Sequence, residues 1–470
     1  MRWQQLKIVR IQKLQIMSKF KIVIVILILA VLPVGCLVGP KYARPEDQKV
    51  ETFQNTAAIV DTSKSVVNLK WFDLFNDDVL KGLINVGIES NYDMKIAMAR
   101  LELARAELGY SKADLFPSFQ YGGTVNSNKE TFPTSNVQAN MSWELDFWGK
   151  VRHENRALQA ELLATDEARK VILTGIISDI AISYFQLRDL DNQLDITQKT
   201  LIDRQESFRI INERFMKGYV SEVDKVQIEQ QVAIAEAGIP SIQRQITALE
   251  NFISILTGQI PGKIERGKAN SDQKMVTDIP LSLPSKLLEN RPDVKQAELF
   301  YMSANERIGV AQAMRFPSFN IAAMAGFASA NLSDLFLSSS YNQNAAAGVA
   351  GPIFSFGKNK RRVEIFRQQA EQSKFAYQKA YLIAIAEVEK ALQDVKTYKE
   401  EWNARNRQVM AAKKNLELSN ARYYNGYVSY LEVLDVQRSL YEAELELSRL
   451  SQRQLSSTVE LYKALGGGWN

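Results

Sequence analysis

The sequence is poor in the residues that carry most enzyme chemistry. It has one cysteine, Cys36, and one histidine, His153, in 470 residues. One cysteine allows no intrachain disulfide, and the two residues together are too few for a His/Cys zinc site. A Cys–His pair or a Ser–His–Asp triad would have to be built on that one histidine, which is expected to be a solvated or interfacial side chain. Glycine (23) and proline (12) are too scarce for a collagen-like or low-complexity chain, and 46% hydrophobic residues are ample for a core. The acidic residues are spread out as solvated charge, and Gly466–Gly468 lacks the strand and helix that a phosphate loop needs. The expectation is therefore no enzyme and no cofactor.

The net charge of +5 belongs to one end of the chain. Residues 1–35 hold six basic side chains and no acid, and removing those six from 58 leaves 52 basic against 53 acidic residues. Composition thus gives no case for nucleic-acid binding. Lys19 and Lys21 precede a 14-residue apolar run, Ile22 to Gly35, shorter than the about 20 residues of a spanning helix. Positive charge before a short apolar stretch reads as a secretory signal over 1–35, with Met17 the expected start. The run stops at Cys36, directly after Gly35, and this resembles the bacterial lipoprotein pattern, although Pro33 stands where that pattern prefers Leu. Lipidation of Cys36 would tether the chain to a leaflet, with 36–85 as an N-terminal tether.

The remainder is one plan written twice, as 86–275 and 276–470. FPSF at Phe116–Phe119 returns at Phe316–Phe319, and Asp93 returns at Asp293, an offset of 200. Beyond that the offset is 208: Gly149-Lys150 and Gly357-Lys358, Gly218–Ser221 and Gly426–Ser429, Leu-Thr-Gly258 and Leu465-Gly466. Such self-similarity signals a repeat architecture. Each copy reads helix, strand, strand, long helix, turn, helix. The first helix covers about Asn91 to Ala113, with Pro117 ending it. Period-two alternation predicts strands at 117–127, 137–147, 317–329 and 341–354, of a length that fits a transmembrane β-barrel. Leu187, Leu194, Leu201, Phe208 and Phe215 recur every seven residues, with Leu190 and Ile211 in companion positions. Val395, Trp402, Val409, Leu416 and Tyr423 repeat them 208 residues on. Strict heptads predict supercoiled helices that pack on one another. Turns at 216–221 and 424–429 end the rods, with Gly218 and Gly426 as C′ residues and Ser221 and Ser429 as caps of the returning helices.

Four strands cannot close a barrel alone, because an open edge leaves backbone groups unsatisfied in hydrocarbon and the smallest barrels have about eight strands. Several chains must pool their strands, and the helices that leave the strands would continue the barrel as a tube. The expected fold class is mainly α with a membrane β-barrel portion, built from two tandem repeats with long coiled-coil hairpins.

Residues 38–42 (VGPKY), 71–109, FPSF at 116–119 and ARYYNGYVSYLEVLDVQRSLY at 421–441 resemble the TolC-like outer membrane efflux proteins, in particular the lipoprotein branch serving RND-type pumps. The resemblance covers nearly all of the chain after the signal segment. It implies a homotrimer with a 12-strand β-barrel continuous with a 12-helix α-barrel. It also implies contact with outer-membrane lipid, a periplasmic adaptor and an inner-membrane RND-type pump as partners, and drugs or other small amphipathic compounds as cargo. Two sites follow from it. Gly218, Tyr219, Val220 and Ser221 with Gly426, Tyr427, Val428 and Ser429 resemble the family's adaptor-docking tips. Leu431, Asp435 and Arg438 match positions that constrict the periplasmic mouth, and the first copy has Val223, Gln227 and Gln230 instead. A type I secretion duct and a coiled-coil lipoprotein spacer are the competing expectations.

Overall fold

The computed structural model describes residues 36–45, 71–128, 131–273 and 291–467. The signal segment expected over 1–35 lies outside them. After a helical turn at Trp71–Leu74, the elements are α1 (Asp78–Ser90), α2 (Tyr92–Ala113), β1 (Ser118–Asn128), β2 (Thr131–Leu145), α3 (Lys150–Met216), α4 (Glu222–Leu256), α5 (Pro292–Ala313), β3 (Ser318–Ser329), β4 (Tyr341–Ala350), α6 (Lys358–Tyr424) and α7 (Tyr430–Ala464). The chain is mainly helical with one small sheet. The duplication is carried into the elements: α2 and α5 are both 22 residues, α3 and α6 both 67, α4 and α7 both 35.

The described chain falls into two compact units. One unit holds the sheet, the ends of the helices that meet it and the segment after Cys36. Its strands run β1-β2-β3-β4, every neighbour antiparallel. The register sorts the side chains cleanly. Phe119 faces Met141, Met141 faces Ala323, and Ala323 faces Ala345, so one face collects the apolar residues. Gln120 faces Asn140, Asn140 faces Met324, and Met324 faces Asn344, and that face is polar. A slip of one residue would exchange the faces. The return strand ends at Ala350, short of 354, because Gly351-Pro352 follows and proline has no N–H for the ladder.

Two expectations are corrected in this unit and its neighbour. His153 is neither solvated nor interfacial: it is 2% exposed, and its Nδ1 lies 2.6 Å from Glu306 Oε2. Residues 37–44 are laid onto the protein. The Val38 N–H donates to the Trp148 carbonyl (3.3 Å), Tyr42 Oη donates to Glu298 Oε1 (2.9 Å), and the Tyr42 ring meets Tyr301 at 5.4 Å. In the other unit the boundary placed at residue 85 falls inside α1. Leu80, Ile84 and Gly87 recur on one face of α1 and are buried, so this stretch is core rather than tether.

The second unit holds the hairpin turns and the largest core. Trp71, Phe75, Leu80 and Ile84 pack with Ile176, Ile180, Tyr184 and Phe185 of α3 and with Leu455, Val459 and Tyr462 of α7. Among the described residues α3 is the one helix apolar and long enough to cross a membrane. Its most apolar stretch lies within this core instead. Asp77 fixes the entry. Its carboxylate caps α1 through the Val79 and Leu80 N–H groups and accepts from Tyr184 Oη, the Lys268 N–H and Gln273 Nε2.

Candidate functional site: the hairpin tips and the face of α7

Each long helix stops at a glycine. Gly218 and Gly426 adopt φ of 76° and 78°, which glycine reaches without steric cost. In both turns the glycine N–H returns to the carbonyl three residues back, and the following tyrosine N–H returns five residues back, to Arg214 and Arg422 (2.9 and 3.0 Å). This is the Schellman arrangement. It turns the chain out of the helix and leaves Tyr219 and Tyr427 76% and 78% exposed. Val220 and Val428 turn the other way and pack with Ile211, Ile228, Tyr423, Tyr430, Val433 and Leu434. Of the repeated Tyr-Val pair, only the tyrosines are presented to solvent. A cleft of about 960 Å3 lies between the two tips, bordered by Arg214, Lys217, Tyr219, Asp224, Tyr424 and Tyr430.

The two returning helices start differently. Ser221 closes a capping box with Asp224: the Asp224 N–H donates to Ser221 Oγ, and the Ser221 N–H donates to Asp224 Oδ2 (3.1 Å). Ser429 makes no side-chain cap, contrary to the sequence expectation. The physical reason is the residue three positions on. Glu432 has the longer side chain, and it reaches across to α6, accepting from Arg422 Nη1 at 3.0 Å and from Ser419 Oγ at 3.3 Å. The second hairpin is therefore pinned helix to helix, the first at its own cap.

Leu431, Asp435 and Arg438 share one exposed face of α7, while Tyr430, Val433, Leu434 and Val436 are buried on the other. Arg438 Nη2 lies 3.3 Å from Asp435 Oδ1, and the two side chains are 47% and 77% exposed. So exposed a pair contributes well under about 1 kcal/mol. Beneath this face lies a residue that sequence reasoning missed. Arg204 is 2% exposed, donates from Nη1 to the Gln231 carbonyl (2.8 Å), and stacks over the Tyr441 ring at 5.1 Å. Burial holds the Arg204 pKa below its ordinary value; the phenol of Tyr441 opposes this and the Arg438 charge adds to it. The Tyr441 hydroxyl also lies 3.1 Å from Thr197 Oγ1. Thr197 and Arg204 occupy the heptad positions between Leu190 and Ile211, so the break in the apolar stripe was the available signal.

The sequence matches the family described as "Outer membrane efflux protein" over residues 83–259 and 283–467. The chain belongs to that family. Cation efflux system protein CusC of Escherichia coli O6:H1 is 30% identical over 445 residues, covering 93% of this chain and 96% of its own length. Solvent efflux pump outer membrane protein SrpC of Pseudomonas putida is 33% identical over 457 residues, with the same coverage of each. The open-state crystal structure of the Neisseria gonorrhoeae MtrE outer membrane channel superposes with a TM-score of 0.85 at 27% identity, covering 93% of this chain and 99% of that one. As a member of the outer membrane efflux family, the protein is an efflux duct of the outer membrane, a transport role.

Proposed function

We propose that three copies join their sheets edge to edge into a 12-strand β-barrel that continues as a 12-helix tube, and that this trimer is the exit duct of a tripartite efflux pump. The observation that carries the reading is the register of the sheet. One face is apolar and the other polar, and aromatic residues gather at both ends of the apolar face. Phe319 meets Phe147 (5.3 Å) at one end, and Phe327 meets Phe336 (5.7 Å) and Tyr341 (5.6 Å) at the other. From Phe319 to Phe327 is about 27 Å along an extended strand, and about 20 Å along a membrane normal when the strand tilts by about 40°. Outer-membrane barrels carry an apolar band of about 25 Å between aromatic girdles. A soluble spacer would have no use for such a face.

Lipidation of Cys36 fits the same frame. Cys36 is exposed, and the Val38–Trp148 hydrogen bond holds it close to the aromatic end of the sheet. The Salmonella typhimurium relative SilC is named a probable outer membrane lipoprotein. Relatives are named for cations, solvents and toluene, so the cargo of this chain is proposed only as drugs or other small amphipathic compounds. The tips, with Tyr219 and Tyr427 outermost, would receive a periplasmic adaptor, which in turn engages an inner-membrane RND-type pump. The exposed face of α7 would line the periplasmic mouth. Three Leu431 and three Asp435 around one axis make an apolar ring above a carboxylate ring, suited to dewetting and to cation preference. In this reading, opening separates Asp435 from Arg438 when the adaptor engages. The double variant D435N/R438Q in planar bilayers is expected to raise single-channel conductance several-fold. Unchanged conductance would remove the gate assignment, and a strain lacking the protein with unaltered susceptibility to a compound panel would remove efflux of such compounds.

A further inference from the structure

The polar face of the sheet has an unusual composition. Of the strand side chains described on it, one carries a charge: Glu144, at the very end of β2, already bonded to Lys150 Nζ at 2.6 Å. The rest are hydroxyls, small residues, Met324 and a set of carboxamides that includes Gln120, Asn136, Gln138, Asn140, Asn320 and Asn344. Ion-selective pores use rings of fixed charge, and a cleft of one sign enriches opposite charges by about 10- to 1,000-fold. Apart from the Glu144–Lys150 pair at one end, no such charge stands among the described residues of this face. A carboxamide offers both an acceptor oxygen and two donor hydrogens. It solvates a cation through the one and an anion through the other, and meets the hydrogen-bonding groups of a neutral solute equally.

We propose that the polar face forms a carboxamide-lined, charge-free wall past which cationic, anionic and neutral amphipathic solutes move alike, so that selection by charge is made outside the sheet. This rests on reading the sheet as the wall of a barrel whose polar face looks into the lumen. The barrel then accepts whatever the rest of the duct delivers, and the breadth of cargo is set where charged side chains line the path.

The test uses the full-length protein in outer-membrane vesicles, with single substitutions N140C and M141C on opposite faces of β2. Each thiol is titrated with a cationic and an anionic methanethiosulfonate of similar size, against the unsubstituted protein as background. The ratio of the two rates is referred to that of a small thiol in the same buffer. N140C is expected to react with both reagents at a ratio within about threefold of the free thiol, and M141C to react with neither. Adding Q138D beside N140C is expected to shift the ratio toward the cation by about tenfold. An N140C ratio displaced by about tenfold or more in either direction, or a Q138D change without effect, would overturn the charge-free wall. If M141C reacted as fast as N140C, the barrel reading itself would fall, whatever the ratio.

Discussion

At the scale of single residues, the buried polar groups carry the most testable energetics. Burial acts to raise the Asp77 pKa, but the hydrogen bonds from Gln273, Lys268, Leu80 and Tyr184 together outweigh it, so the carboxyl titrates below its ordinary value of 3.8. A lowered folded-state pKa stabilises the protein above the unfolded value, and that contribution is lost as pH falls through the folded one. D77N is therefore expected to lower the thermal midpoint at neutral pH, with the difference from wild type closing below about pH 3.8. Circular dichroism melts across pH would check it, and a difference that persisted at the acid end would refute it. The capped N–H groups of Val79 and Leu80 are local, but the other partners of Asp77 could not be read in the sequence, because Tyr184, Lys268 and Gln273 lie more than 100 residues away. The same holds for His153, whose partner Glu306 sits 153 residues on. The heptad leucines were legible since their period alone places them: none of the ten stripe residues is exposed. Arg204 was hidden by the assumption that a stripe implies apolar residues throughout.

At the scale of elements, local rules transferred well where the signal is local. Both long helices end at the glycines singled out from GYVS, and the two copies keep equal lengths to the residue. The caps show where local reasoning stops. Ser221 and Ser429 occupy the same place in the pattern, yet the choice between a reciprocal cap and a cross-helix bridge is made by one methylene, Asp224 against Glu432. S221A is expected to cost about 1 kcal/mol and to raise amide exchange in the first turn of α4. S429A is expected to leave the first turn of α7 unchanged, and equal protection losses in the two would contradict the assignment. The glycines also separate. A Cβ at Gly426 would meet open space, so G426A costs only left-handed strain, about 1–2 kcal/mol. A Cβ at Gly258 would lie 2.4 Å from the Ser90 carbonyl oxygen, so G258A adds a backbone collision and is expected to lower the melting midpoint far more. The α1 helix was missed because most of its 13 residues lie inside the segment read as tether, although Leu80, Ile84 and Gly87 already mark a face.

At the scale of the whole molecule, the alternation of four strands and the two-copy plan were plain in the sequence, and the family was recognisable from the tip motifs. The alternation also gave the residues that share a face within each strand; the pairing across strands was not legible, since the β2–β3 register joins residues nearly 200 positions apart. That register gives the sharpest assembly prediction. Ala323 is on the apolar face between Met141 and Ala345, and Ala322 is on the polar face between Ser142 and Ala346. A323K is expected to lose about 2–4 kcal/mol per chain by placing an ammonium in hydrocarbon, and to abolish heat-resistant assemblies in outer-membrane fractions. A322K is expected to retain them, and the opposite ranking would reverse the faces. Among the described residues the sheet also ends in two unpaired borders, β1 and β4. In the proposed closed ring each border is completed by a sister chain, so a subunit with a spoiled border ruins every ring it enters. If half the chains in a cell carried such a lesion, only about one ring in eight would be sound, and the faulty allele would behave as dominant over an intact one.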